Sequence, residues 1–431
     1  MSSDTLTSPP LRTFPRPRVR HVLHVLFPRA RSHLLATGPT TIGRTDAALT
    51  FADDRALSRA HAELTLAEGR LHVRDLASHN GSWRNGLRIE HAPLVDGDVL
   101  RLGDTFLLYR IEPVELIDAD VPSLLGVSPA IRALRADIAR VAPTRATVVL
   151  LGETGTGKSL AARAIHAASG RRGEFVQVNC AAIPESVAES LLFGHKAGAF
   201  TDAKTDSPGV FRAANRGTLF LDEVGLLSPA TQARLLLALD SGEITPVGAT
   251  TPVAVDVRVV VATNEDLSAA VAARSFRADL YGRLAEVTLQ IPPLRQRRED
   301  LLPLLASALG PRSPPLTVAT VGTLLGWHWP YNVREIEKLA SELRIRGEGL
   351  RELGPELLGE RFTEATPVES AALRDEARAD TDGPPDRDTL VEWLRDVEGN
   401  VSELGRRVGR STKQIYRWCS RYALDPAQYR R

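Results

Sequence analysis

The stretch LLGETGTGKSL, residues 150–160, constrains this chain more than any other part of it. An apolar, strand-like run ends at Gly152; Glu153, Thr154, Gly155, Thr156 and Gly157 follow, and then come Lys158, Ser159 and an alanine-rich segment of helical period. Glycines at this spacing let backbone N–H groups curl round a phosphate at a helix N-terminus, where aligned peptide dipoles favour negative charge. Lys158 is expected to reach the outer phosphate oxygens of ATP and Ser159 to offer its hydroxyl to Mg2+. Such a loop needs a buried, mainly parallel sheet, because the strand delivers it to the sheet edge and the helix packs back on the sheet face. The chain provides one: TVVLLG, TLFLDE and VRVVVATN alternate with the helix-like LAARAIHAAS and PATQARLLLALDSG. The second of these strands ends in paired acids. Asp222 is expected to complete the metal shell and Glu223 to polarise the attacking water, since phosphoryl transfer needs metal, positioning and a base near the γ-phosphate. The third ends at Asn264, where a γ-phosphate can be sensed.

At 431 residues the chain is too long for one ordinary core, so two to four domains are expected. Residues 1–20 are rich in proline and arginine without an apolar signal core and read as a disordered N-terminus. Residues 21–112 carry short apolar runs broken by Gly, Asn and Asp, the pattern of an all-β sandwich. A linker (113–122), the α/β region (123–292) and a more helical stretch (293–363) follow. A charged, alanine-rich, proline-ended linker (364–387) then leads to a small all-α unit (388–431). Apolar content of 43% with 25% charged residues and no long uncharged apolar run argues against a membrane span and places the protein in the cytoplasm. Cys180 and Cys419 lack the spacing of a metal site or disulfide framework and read as packing residues. The net charge of +1 hides an uneven distribution: from Asn400 onward eight basic residues stand against Glu403 and Asp425.

Residues 123–345 resemble the central AAA+ ATPase domain of bacterial enhancer-binding proteins, the activators of sigma-54 RNA polymerase. The resemblance rests on LLGVSPAIRALRADIARVA, GETGTGKSLAARAIH, FVQVNCAAIPES, LFGHKAGAFTDA, GTLFLDEV, FRADLYGRL, IPPLRQRRED and WPYNVREIEKLASEL, in the family's order. It implies that Asn179 restrains the catalytic Glu223, and that Arg277 and Arg283 reach into a neighbouring subunit's ATP site. It also makes Arg334 a lid arginine on the nucleotide, and implies a homo-oligomeric ring, hexamer or heptamer. Ser159 stands where the family usually has Glu and keeps the general phosphate-loop form. Tyr331 replaces a usual glycine, so the turn before the lid helix is expected to differ.

The family's sigma-54 contact is a GAFTGA loop, here Gly198, Ala199, Phe200, Thr201, Asp202 and Ala203. Phe200 and Thr201 keep the tip, while Asp202 replaces a glycine and adds a carboxylate. Two readings stay open: a working sigma-54 loop, or a DNA-binding regulator that acts on another partner. Near the C-terminus, VEGNVSELGRRVGRSTKQIYRWCSRYAL has capping-box spacing at Asn400/Glu403 and Ser411/Gln414, two successive helix starts. It is similar to the Fis-type helix-turn-helix of the same activators. This puts Arg410, Thr412, Lys413, Gln414 and Arg417 toward enhancer DNA. The β region, with TIGRTDAALTFADDRALSRAHAEL and VRDLASHNGSWRNGLRI, resembles a forkhead-associated (FHA) domain. By that resemblance Arg44, Ser58 and Arg59 hold a phosphothreonine phosphate and Asn80 bonds the peptide backbone, with a phosphothreonine protein or Ser/Thr kinase as partner. His61 is assigned a structural role, and Ser82 stands where Thr is commoner.

Overall fold

The computed structural model describes residues 18–362 except Leu116, Thr201 and Asp202. Beyond 386 it describes 387–397, 400–408, 415, 418, 419, 422, 424 and 426–429. Two compact units, residues 1–368 and 369–431, make up the chain.

The first unit opens with a β-sandwich. Its strands are β1 (Val19–Phe27), β2 (Arg31–Leu34), β3 (Gly38–Gly43), β4 (Leu49–Thr50), β5 (Ala62–Ala67), β6 (Arg70–Asp75), β7 (Ser82–Arg84), β8 (Leu87–Ile89), β9 (His91–Leu94), β10 (Val99–Leu102) and β11 (Thr105–Pro113). A six-stranded sheet of order β2-β1-β11-β10-β7-β8 faces a five-stranded sheet of order β4-β3-β5-β6-β9. Leu23, Val25, Ile42, Leu64, Val73, Leu100 and Leu107 fill the space between them. The first strand begins two residues ahead of the expected boundary at 21, because Val19 pairs with Pro113 and Arg20 bonds Glu112.

The α/β region holds a five-stranded, all-parallel sheet. Its strands are β12 (Val148–Leu151), β13 (Phe175–Asn179), β14 (Thr218–Asp222), β17 (Arg258–Thr263) and β18 (Val287–Gln290), in the order β13-β14-β17-β12-β18. A short hairpin, β15 (Glu243–Ile244) with β16 (Val253–Ala254), stands outside it. Helices α1 (Pro129–Val141), α2 (Lys158–Ala168), α3 (Glu185–Phe193), α4 (Gly209–Ala213), α5 (Pro229–Ser241), α6 (Leu267–Ala272) and α7 (Ala278–Leu284) surround the sheet. Two apolar clusters cover its faces, one containing Leu219, Leu221, Leu235 and Leu280, the other Leu134, Ile138, Val148 and Ile165. Central strands buried on both faces read as continuous apolar runs, which is why VVLL and RVVVAT were legible. The helical lid comprises α8 (Leu301–Leu309), α9 (Val318–Gly326) and α10 (Asn332–Arg346), packed round Trp329, Ile336 and Leu339.

In the second unit, helix Arg387–Asp396 begins one residue before the expected start. Helix Val401–Val408 begins immediately after Asn400, and Leu390, Leu394, Leu404, Ile415 and Trp418 form a small core. Among the described residues no helix is long and apolar enough to cross a membrane.

Candidate functional site

The expected phosphate loop joins β12 to α2. Gly155 and Gly157 lie at φ +77° and +108°, backbone that L side chains rarely adopt. A Cβ on Gly155 would also lie 2.1 Å from the Tyr331 carbonyl, so the loop fits under the lid only as glycine. Buried Lys158 donates from Nζ to the Gly152 carbonyl at 2.8 Å and lies 3.7 Å from Glu223 Oε1. Ser159 occupies the first turn of α2.

Asp222 ends β14 in register with Asn179 on one side and Ala262 on the other, so the sheet itself brings the acids beside the loop. Burial pushes the Asp222 carboxyl above its usual range, with Lys158 and Arg334 opposing the shift and Glu223 adding to it. Glu223 sits in the left-handed region at φ 54°, a conformation costing a non-glycine residue about 1 kcal/mol. Its Oε2 accepts the Asn264 backbone N–H at 3.4 Å, so Asn264 lies beside Glu223. Asn179 Oδ1 accepts the Ala181 N–H at 2.9 Å; no hydrogen bond joins Asn179 to Glu223 in this structure. Cys180 is a packing residue, its thiol pushed up to about 12 by burial.

The lid contributes more than the sequence suggested. Arg334 stands against the loop: its Cβ is 3.1 Å from where a Cβ on Gly155 would be. Fully buried Asn332, at φ 52°, donates to Glu153 Oε2 at 3.3 Å and the Thr154 carbonyl at 3.0 Å, and accepts the Leu294 N–H at 2.7 Å. Glu153 is further clamped by Arg295 at 2.5 Å and 2.7 Å, and Arg297 donates to the Thr156 carbonyl at 3.0 Å. Tyr331 itself, at φ −107°, needs no glycine; the left-handed positions of this turn are Trp329 and Asn332, at φ 55° and 52°. The sequence signal for Asn332 is its residue type, since asparagine tolerates left-handed backbone better than most residues.

Arg277 is the N-cap residue of α7 and Arg283 lies in its last turn, and both bond within their own neighbourhood. Arg277 pairs with Asp279 at 2.7 Å, and Arg283 lies 3.3 Å from Asp240 and bonds Glu286. Both are substantially exposed.

In the 198–203 loop, Gly198 donates to the Ala203 carbonyl at 2.7 Å and Ala203 to the Phe200 carbonyl at 2.9 Å. Phe200 is 42% exposed and packs edge-on against His195 at 4.9 Å. Ala199 lies close over Gly248. Thr201 and Asp202 lie outside the described residues, as do Arg410, Thr412, Lys413, Gln414 and Arg417.

Loops at one end of the sandwich gather the expected phosphate-binding residues. Arg44 N–H donates to the Ser58 carbonyl at 2.9 Å, and the Arg59 carbonyl accepts from Thr45 and Asp46. Ser58 Oγ accepts the His79 N–H at 3.1 Å, and Asn80 Nδ2 donates to the Ala56 carbonyl at 2.6 Å. A Cβ on Gly43 would lie 2.0 Å from the Arg59 carbonyl, which explains that glycine. His61 is buried; its Nδ1 accepts the Ser58 N–H, leaving Nε2–H to donate to the Gly81 carbonyl. Burial lowers its pKa, in keeping with a neutral clamp between two loops. Buried Ser82 donates to Asp75 at 2.5 Å, so its hydroxyl supports the loop from beneath.

The β-sandwich and the lid also meet. Arg110 of β11 donates to Glu299 at 3.1 Å and to the Gln296 carbonyl at 3.0 Å, while Arg298 donates to the Gly97 carbonyl at 3.3 Å. Leu26, Val99, Phe106 and Leu108 pack on Val321 and Leu325 of α9. The junction was not anticipated, although TFLLY is a continuous apolar run in an antiparallel sheet, the mark of a strand buried on both faces.

Residues 124–290 match the family described as Sigma-54 interaction domain, and residues 40–103 match the FHA domain. The transcriptional regulatory protein ZraR of Klebsiella oxytoca is 41% identical over 321 residues, covering 72% of this chain and 71% of its own. The nitric oxide reductase transcription regulator NorR1 of Cupriavidus necator is 48% identical over 236 residues, covering 53% and 46%. Among solved structures, NtrX from Brucella abortus in complex with ATP matches with a TM-score of 0.51 and 32% identity over 70% of this chain and 69% of its own.

Proposed function

The chain belongs to the family of bacterial transcriptional regulators built on a sigma-54 interaction domain, and we propose that it is an ATP-hydrolysing activator that remodels sigma-54 RNA polymerase. The observation that carries this reading is the convergence of Lys158, Asp222, Glu223, Asn264 and Arg334 on one glycine loop. The loop's backbone N–H groups bind the phosphates, and Lys158 exchanges the Gly152 carbonyl for phosphate oxygens, the stronger acceptors. Glu223, whose carboxylate Lys158 now faces, then orients the attacking water. A hard cation suits the hydroxyl of Ser159 and the half-buried carboxylate of Asp222; Mg2+ bound there would neutralise developing phosphate charge. In this reading Asn179, adjacent in register to Asp222, restrains Glu223 once its cap on Ala181 opens.

Within one chain Arg277 and Arg283 bond local acids, so in this reading they act in trans and hydrolysis requires a ring. Residues 198–203 carry the sigma-54 contact, with Phe200 as the apolar tip. The FHA loops, with Arg44, Ser58, Arg59 and Asn80, receive a phosphothreonine peptide, and the C-terminal helices bind enhancer DNA. ATP-dependent open-complex formation by purified sigma-54 holoenzyme tests the whole. Wild type should open the promoter, and Glu223→Ala should fail. The sequence itself favours a second reading: Asp202 adds a carboxylate at the contact loop. Opening by Asp202→Gly alone, with ATP hydrolysis intact in wild type, would shift the conclusion to a regulator with another partner.

A further inference from the structure

A cavity of about 660 Å³ lies between the FHA domain and the lid. Trp83, Val99 and Phe106 line it from the sandwich, and Leu325, Leu358 and Phe362 from the lid. A volume of this order suits a small organic ligand, and domain junctions are where such sites form. Space is kept by small residues on the lid: a Cβ on Gly322 would come within 3.3 Å of the Phe106 ring.

The polar groups are few and one-sided. Two arginines, Arg101 and Arg298, face the cavity, and no acid is among the lining residues. Arg101 bonds the Gly103 carbonyl at 3.0 Å, lies 5.8 Å from the Phe106 ring centre and has Asp104 3.9 Å from its Nη2 at the exposed rim. Among the described residues Arg298 donates to the Gly97 carbonyl alone, at 3.3 Å, and its buried Nε finds no partner. A buried N–H without an acceptor, on a half-buried guanidinium, is costly until an acceptor arrives. Asp98 and Glu299 temper its charge from outside the cavity without lining it.

We propose that this junction is a binding site for a small amphipathic organic acid, its aromatic or aliphatic body among Trp83, Phe106, Leu325 and Phe362 and its carboxylate on Arg298 and Arg101. Nothing in the nucleotide or phosphopeptide reading requires this ligand. The place is nonetheless a consequential one. Trp83 Nε1 donates to the Asn80 carbonyl in the phosphopeptide loop at 3.4 Å. Arg298 follows Arg297, which holds the Thr156 carbonyl of the phosphate loop.

The test is isothermal titration of the full chain with 4-phenylbutyrate and with laurate, each against the matching neutral alcohol. Saturable one-to-one binding of an acid is expected, at least about tenfold tighter than its alcohol, because a charge-assisted hydrogen bond is lost with the carboxylate. Arg298→Gln should erase that preference while the alcohol's weak binding persists. Thr323→Phe, which fills the cavity from the surface of α9, should abolish both. Absence of saturable binding by wild type up to the solubility limit, or binding untouched by both variants, overturns the proposal. ATP titrated into the same samples is a separate readout. Acid binding without ATP binding would sink the nucleotide reading and leave this one standing.

Discussion

The phosphate loop and the FHA–lid junction share one segment, residues 294–300, and are built in opposite ways. Toward the loop, Arg295 and Arg297 hold Glu153 and the Thr156 carbonyl; toward the sandwich, Gln296, Arg298 and Glu299 meet Arg110 and Gly97. The loop is open: its arginines stand beside it, but those on α7 bond Asp279, Asp240 and Glu286 instead. The junction is closed, with an ion pair and an apolar cluster completed inside a single chain. In the proposed ring, a chemistry completed by a second copy would lie next to a contact completed within one chain. The segment between them is where a change in one can be felt in the other.

The largest effect should come from the open side. Arg277→Ala removes a charge that, supplied in trans, stabilises the transition state, so ATP turnover at ring-forming concentrations should fall on the order of a thousandfold. ATP affinity measured on dilute, unassembled chain should stay within about threefold, since among the described residues the Arg277 side chain bonds Asp279 and nothing of the phosphate loop. Equal losses in both measurements would show that the loop is not completed by a neighbour.

On the closed side, Arg110→Met removes the cation bonded to buried Glu299 and leaves it only the unbonded charges of Arg297 and Arg298, a loss of about 3 kcal/mol. Calorimetry should then resolve the FHA domain as a transition separate from, and below, that of the ATPase. A single unchanged transition would mean that the junction does not bind the two parts together in solution. Between these sides stands Asn332→Ala, which strips two donations from the loop and one acceptor from Leu294. Losing buried hydrogen bonds at about 1–3 kcal/mol should raise KM for ATP about tenfold or more, with a smaller change in kcat. A drop confined to kcat would show that Asn332 does not position the loop.

What could be read from sequence follows the same division. Eight contiguous residues specify the phosphate loop because glycine geometry and a helix terminus are local properties. The acids Asp222 and Glu223 and the tip at Asn264 followed because parallel strands end on one edge. In the FHA loops, Gly43, Ser58 and Asn80 were named through the family resemblance, and in the structure each makes a short contact with backbone. The junction is different. Arg110 and Glu299 are 189 positions apart and look, singly, like ordinary surface charges. Phe106 and Val321 belong to elements whose inner faces were already accounted for, so only the second buried face of β11 hinted at a partner. Asn332 fell between the two cases, its local backbone readable but its three bonds long-range.

The smallest predicted effect separates charge from packing at the junction. Burial raises the Glu299 carboxyl from its ordinary 4.5 to about 7, against the pull of Arg110. Between those values the folded chain holds a proton that the unfolded chain has released. The associated stability is therefore fully present below pH 4.5 and is lost as pH rises through 7. Glu299→Gln keeps an oxygen acceptor for Arg110 and removes the titration. Its denaturation midpoint should fall less than that of wild type as pH is raised from 5 to 8, by an amount worth at most a few kcal/mol. Parallel pH profiles for the two proteins would mean that Glu299 stays ionised against Arg110 throughout. In that case the junction would be held by its ion pair as much as by Phe106 and Leu325.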